Sequence, residues 1–148
     1  MPARNMTQAV QADTSLLQRI DEIARGPLAA IVTDIDLNGH YPLEILRTLG
    51  EAGALAPHLQ RNGADFGLAI QAMATVSRQC GATGFLMWCH MVCGLYLEKA
   101  PDSALNMELL STHALGHSFG GTALSNPMKA LAGIERMALE AMPAAGGY

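Results

Sequence analysis

Apolar residues recur along most of this chain at spacings of three and four, the pattern of helices that bury one face. Asp13-Thr14-Ser15 reads as an N-cap cluster. After it, Leu16, Ile20, Ile23, Pro27, Ile31 and Ile35 form one stripe. Gly26-Pro27 falls inside that stripe and predicts a kink or short break, because proline has no N–H to donate and crowds the preceding turn. Asp34, Asp36 and Asn38-Gly39 close the segment as a solvated helix end. Pro42 suits a first helical turn and opens a short second helix carried by Leu43, Ile45, Leu46 and Leu49, with Gly50 and Gly53 at its exit. A loop from Gly63 to Gly67 leads to a third helix, striped by Phe66, Ala69, Ile70, Met73, Val76 and Cys80. The fourth, from about Thr83 to Lys99, is apolar nearly all round, which predicts an element surrounded by others. Pro101-Asp102-Ser103 starts a minor fifth helix through Leu110.

Beyond Leu110 the pattern changes. His117 to Leu124 lacks helical periodicity and reads as an extended strand, with Ser125-Asn126-Pro127 as a turn or strand end. Gly133 to Met142 is ambiguous by periodicity: Ile134, Met137, Leu139 and Met142 suit a weak helical stripe, while Met137, Leu139 and Ala141 alternate as in a strand. Pro143-Ala144-Ala145-Gly146-Gly147 is turn chemistry, followed only by Tyr148. A last strand with nothing of its own to pair with suggests a truncated unit.

Composition narrows the function classes. Half of the 148 residues are hydrophobic and 15% are charged, the reverse of a disordered chain. A net charge of −4 with nine Lys and Arg cannot supply the basic face that nucleic-acid binding requires. Cys80, Cys89 and Cys93 make an odd set within one apolar stretch, which fits reduced thiols and a cytoplasmic location better than a secreted disulfide scaffold. The N-terminus has no apolar core of a signal peptide. Gln79 to Leu97 is uncharged and, at about 1.5 Å per residue, nearly long enough to cross a bilayer. Its Gly81, Thr83, Gly84, His90 and Gly94, with no basic flank, favour a buried bundle helix over a membrane span.

Candidate chemistry is sparse. Cys89-His90 with Cys93 lacks the second ligand pair of a zinc site, so no metal is expected and packed cysteines are the better account. His113 and His117 have i, i+4 spacing without an acidic residue between them, and read as surface or interface histidines. The nine methionines suit an adaptable core. No Gly-x-Ser-x-Gly nucleophile motif is expected, and no phosphate-cradling loop ending in Gly-Lys and no dinucleotide fingerprint is present.

The order of features resembles the N-terminal part of the acyl-CoA dehydrogenase family. Tyr41-Pro42-Leu43-Glu44-Ile45-Leu46-Arg47-Thr48-Leu49-Gly50-Glu51-Ala52-Gly53-Ala54-Leu55 is similar to the family's second-helix signature. Phe66–Cys80 and Thr83–Lys99 fall where the family places its third and fourth helices. Gly116, followed nine residues later by Ser125 in Thr122-Ala123-Leu124-Ser125-Asn126-Pro127, resembles the Gly-Glu…Ala-Leu-Thr-Glu-Pro segment that crosses into the family's β-domain and touches the flavin. The resemblance runs from about Ser15 to the end. It departs at Asn126, which stands for the usual Glu, and at Met128-Lys129-Ala130-Leu131-Ala132, which replaces Gly-Ala-Gly-Ser-Asp and puts Leu131 where a pyrophosphate-contacting Ser belongs. The Tyr-Gly-Gly loop before the third helix is replaced by Gly63-Ala64-Asp65-Phe66-Gly67.

The fold class expected is therefore mainly α: an orthogonal or up-down bundle of about five helices with one or two short C-terminal β-strands. Residues 1–12 form a flexible N-terminus, 13–116 an acyl-CoA dehydrogenase-like helical domain, and 117–148 the beginning of a truncated flavin-binding β-domain, with 128–142 a strand. The resemblance implies FAD, an acyl-CoA-like substrate and a homo- or hetero-oligomer. It makes Thr122, Ala123, Leu124 and Ser125 the flavin-facing run. No catalytic residue falls in this chain, since the family's catalytic carboxylate and most of its dinucleotide grip lie in regions outside these residues, and the chain alone is expected to be inactive. The drift at Asn126 and Leu131 leaves two alternatives: a flavin-dependent monooxygenase of the same fold, or a non-catalytic helical subunit that associates with a partner chain.

Overall fold

A computed structural model describes residues 6–101 and 104–145. Helices dominate it: α1 (Met6–Ile23), α2 (Ala29–Asn38), α3 (Leu43–Glu51), α4 (Phe66–Gln79), α5 (Gly81–Lys99), α6 (Ala104–Ala114) and α7 (Ser125–Leu131). α1 extends back to Met6, so Asp13-Thr14-Ser15 lies within it and does not cap it.

Between α1 and α2 the expected kink is a single π-helical turn, Ala24–Leu28, with Pro27 inside it. The wider turn inserts a residue and shifts the phase of the stripe. Leu28, rather than Pro27, is therefore the fully buried side chain. Left-handed Gly39 (φ 67°) ends α2, because a residue without a Cβ takes that conformation at little cost. α3 follows Pro42 as its pattern predicts, burying Ile45, Leu46 and Leu49. A short 3-10 turn, Gln60–Asn62, precedes α4. Asp65 caps α4 by accepting the Leu68 N–H at 2.8 Å.

α4 packs on α5 and on α1, α1 on α3, and α6 on α5. The core joins Leu16, Ile20, Leu28 and Ile35 to Ile45 and Leu49, and these to Leu68, Ala72, Val76, Met87 and Met91. Two stripe assignments change. The inner face of α4 is Leu68, Ala69, Ala72 and Val76, while Phe66 and Ile70 are exposed. α5 is covered on one side only: Met87, His90, Met91 and Gly94 are buried, whereas Phe85 and Trp88 stack on each other at 5.6 Å on the outer side.

The C-terminal strands are the main correction. Among the described residues there is no strand, only an isolated bridge at Ala144. Residues 117–123 are irregular. The Ser125-Asn126-Pro127 turn is the first turn of α7, and the strand assigned to 128–142 is helix through Leu131 and irregular afterwards. Met128, Lys129, Ala130 and Leu131 are good helix formers, and Pro127 is tolerated in a first turn. Gly133 (φ 71°) stops the helix: its N–H bonds to Ala130 O, and that of Ile134 to Lys129 O, the paired bonds of a Schellman end. A strand needs a neighbour to satisfy its backbone. Here Asn126 takes that part, donating to Glu135 Oε1 (2.9 Å) and Arg136 O (3.0 Å) and accepting from Ala138 N (2.9 Å).

Candidate functional site

Two features of α5 and the chain that leaves α6 converge on one place. Backbone crosses backbone where α3 meets the exit of α6: a Cβ on Gly50 would stand 2.5 Å from Leu115 O and 2.7 Å from the Cα of Gly116. Only glycine permits that approach. Gly116 (φ 71°) then turns the chain, its N–H bonding to His113 O and that of His117 to Thr112 O, a second Schellman end.

Inside this crossing sit three buried histidines. His90 of α5 and His113 of α6 stack with ring centroids 3.6 Å apart and planes 14° apart. Each ring bonds to the other residue's backbone: His90 Nε2 to His113 O at 3.0 Å, and His113 Nε2 to His90 O at 2.8 Å. His58, from the connection before α4, reaches Met91 O at 2.8 Å. A carbonyl can only accept, so each Nε2 carries its hydrogen. Burial lowers the pKa of all three. For His90 burial and then the adjacent His113 push it down to about 4, against a smaller raising effect of its carbonyl bond. His113 is thus a core residue rather than the surface or interface histidine its spacing suggested, and His58 carried no sequence signal. His117 is exposed. Cys80, Cys89 and Cys93 are free, and Cys80 Sγ caps α5 by accepting the Thr83 N–H at 3.4 Å. Among the described residues, no group of three or more His, Cys, Asp or Glu is arranged to hold a metal.

Beside the stacked pair lies a cavity of about 260 Å³ walled by Tyr41, Leu46, Leu86, Cys89, His90 and the segment Phe119–Gly121. Phe119 leans on His90 at 5.2 Å. Leu46 and Leu86 make the cavity mainly apolar.

The four residues assigned to a flavin edge continue directly from that wall. Tyr96 Oη lies 2.9 Å from Thr122 Oγ1, which also accepts the Leu124 N–H at 3.1 Å. The Leu124 amide is therefore already satisfied. The amides of Gly120, Gly121, Thr122 and Ala123 have no protein acceptor among the described residues. Ala123, Leu124 and Ser125 are exposed, with Ser125 opening α7. Open amides of this kind are the donors that a ring edge gaining negative charge would need. Leu131, at the place of a pyrophosphate-contacting serine, is exposed and has no donor.

The expected absence of a Gly-x-Ser-x-Gly motif is wrong at one place. Gly116-His117-Ser118-Phe119-Gly120 has the Gly-x-Ser-x-Gly spacing of a nucleophile elbow, which requires a strand-to-helix turn. Here it follows a helix and leads into irregular chain, and Ser118 Oγ pairs with Thr112 Oγ1 at 3.1 Å. The structural context of a nucleophile is missing.

No helix among the described residues is long and apolar enough to cross a membrane. Comparison with curated proteins and with solved structures gives no match. Comparison with protein families gives one that covers most of the helical bundle. Residues 11–117 match the acyl-CoA dehydrogenase N-terminal domain, and the chain belongs to the acyl-CoA dehydrogenase family.

Proposed function

We propose that this chain supplies the N-terminal part of an FAD-dependent oxidoreductase that dehydrogenates an acyl thioester between its α and β carbons. Residues 13–116 form the helical domain, and 117–148 begin the flavin-binding domain. The observation that carries the reading is the continuity between an apolar cavity at α5 and a run of unpaired amides at Gly120–Ala123. The cavity walls, Leu46, Leu86 and Phe119, exclude water from an acyl chain. Ser125 and the amides of Thr122 and Ala123 face the polar edge of the ring, and Tyr96 holds Thr122 in place. When bound, FAD supplies the hydride acceptor. No residue of this chain is assigned the α-proton, and the family's further domains complete the site.

Titration of the chain with FAD, followed by the flavin absorbance and fluorescence, tests the division of labour. Alone, the chain should bind FAD weakly or not at all and oxidise no acyl-CoA. Together with a polypeptide carrying the family's remaining domains it should bind FAD, and Ser125→Ala should then weaken that binding by up to about tenfold, the loss of one hydrogen bond. Micromolar FAD binding with acyl-CoA oxidation by the chain alone would overturn the reading. Incorporation of oxygen into the product by the complemented enzyme would replace dehydrogenation with monooxygenation.

A second reading is favoured by one observation: the outer face of α4 and α5 exposes Phe66, Ile70, Phe85 and Trp88. Such a patch marks an interface, so the chain is proposed to work as an oligomer or against a partner chain. Sedimentation as a monomer across the micromolar range would remove the homo-oligomer.

A further inference from the structure

We propose that the His90–His113 pair is an acid-released clasp, holding α6 and the chain at 115–121 against α5 while both rings are neutral and letting that segment go when either ring is protonated. The proposal stands on the geometry of the pair and does not depend on flavin or substrate.

The clasp joins two helices that share no sequence proximity. Each imidazole donates Nε2–H to the other residue's carbonyl across a 23-residue separation. His113 O serves twice, accepting His90 Nε2 and also the Gly116 N–H that turns the chain out of α6. The Schellman end of α6 and the ring stack are thus built on one carbonyl. What depends on it is the crossing at Gly50 and Gly116 and the wall of the cavity, since Phe119 rests on the His90 ring and Gly120 lies against Cys93 and His113.

Nothing nearby is suited to a charged ring. His90 Nδ1 is buried without a hydrogen-bond partner, so a proton added there has no acceptor. A second charge would sit on a ring 3.6 Å away. Other groups around the pair do not neutralise it. α5 presents Cys89 and Cys93, whose thiols burial holds above their usual pKa and so uncharged. The connection before α4 presents His58, which opposes protonation of both rings. The carboxylate among them is Glu98, at the far end of α5, which acts on His58 and accepts the Gln60 N–H at 2.8 Å. α3 and the exit segment bring Leu46, Gly50, Gly116 and Phe119, all without charge.

Linkage gives the size of the effect. With the closed-state value of His90 near 4 and an ordinary value of 6.5 once released, the open fraction rises about tenfold between pH 7.5 and 5.5. The experiment is native-state hydrogen exchange of the intact chain across that interval, recorded beside the imidazole carbon shifts. Protection of the Leu115, Gly116, His117 and Ser118 amides, all hydrogen-bonded in the closed form, should fall at least about tenfold. Amides of Ala72 and Val76 in the core of α4, which exchange only when the whole bundle unfolds, should stay more protected than those four at every pH. A variant carrying His90→Gln and His113→Gln, which keeps a donor near each Nε2 position but cannot be protonated, should lose most of that pH dependence. Should the variant fail to fold, the wild-type comparison decides alone. Constant protection at 115–118 down to pH 5.5, protection there equal to that of α4 at every pH, or unchanged pH dependence in a folded variant would each overturn the clasp.

Discussion

The bundle and the segment that leaves it are held by different means. Around α5, apolar side chains from α1, α3 and α4 are buried together, and the Nε2 atoms of three buried histidines among them pair with backbone carbonyls. From Ala132 to Ala145 every residue is exposed. That stretch has Asn126 as its main tie, reinforced by a Lys129–Glu135 contact at 3.7 Å. Burial of apolar area stabilises the first region by about 25 cal/mol per Å². The second depends on exposed hydrogen bonds worth about 1 kcal/mol each. Removing a single group should therefore have very different consequences in the two regions.

The largest effect should come from the core. Leu49→Ala empties a fully buried position and should cost about 2–5 kcal/mol in urea unfolding. Leu131→Ala, in the exposed α7, should stay within about 0.5 kcal/mol. Similar losses for both would erase the distinction between the regions. Gly50→Ala drives a methyl group into the backbone of Leu115 and Gly116. Backbone cannot swing away as a side chain can, so about 3 kcal/mol should be lost, lowering Tm by roughly 6–12 °C for a chain of this size.

Acid should act on the bundle before it acts on the tail. The His90 pKa is depressed in the folded state, to about 4 from 6.5, so the unfolded chain binds the extra proton. Its contribution to stability is whole above pH 6.5 and is lost as pH falls toward 4. His58 and His113, also lowered by burial, act in the same direction. Unfolding midpoints should fall steadily from pH 6.5 to 4.5, and a flat profile would mean that the three rings are not confined. A smaller change is expected from Asn126→Ala: about 1 kcal/mol at most, read as faster exchange of the Ala138 amide and easier proteolysis beyond Leu131. Least affected should be Thr122→Val, which breaks only the exposed bonds to Tyr96 and Leu124 and should shift stability by less than about 0.5 kcal/mol.

Much of the bundle was legible beforehand. The α3 stripe of Ile45, Leu46 and Leu49, the interruption at Gly26-Pro27 and the helical spans near 66–80 and 83–99 all follow from spacing and from proline and glycine chemistry. These are local effects, decided within a few residues of chain. The phase of the stripe beyond Pro27 was not legible, because a π turn adds a residue that no spacing announces. Nor was the half-covered state of α5, since periodicity tells how apolar a helix is and not how many neighbours it has.

The site divides in the same way. Motif order brought out the family to which the helices belong, and on it rests the proposal for the run at Thr122–Ser125. Of the apolar cavity beside that run, composition could say only that apolar walls were available. Asn126 read as a departure from a pattern, and its bonds to residues nine to twelve positions later emerged only once the chain had folded back.

By itself, then, the order of amino acids determined roughly where α2 to α5 run, which residues are apolar, and which family they resemble. The meeting of His58, His90 and His113 was decided by tertiary structure, as was the fold-back that ties residues 135–138 to Asn126. The reason is distance along the chain. A helix satisfies its own backbone within four residues, whereas a stacked ring pair or a strand ladder needs a partner that only packing can bring alongside.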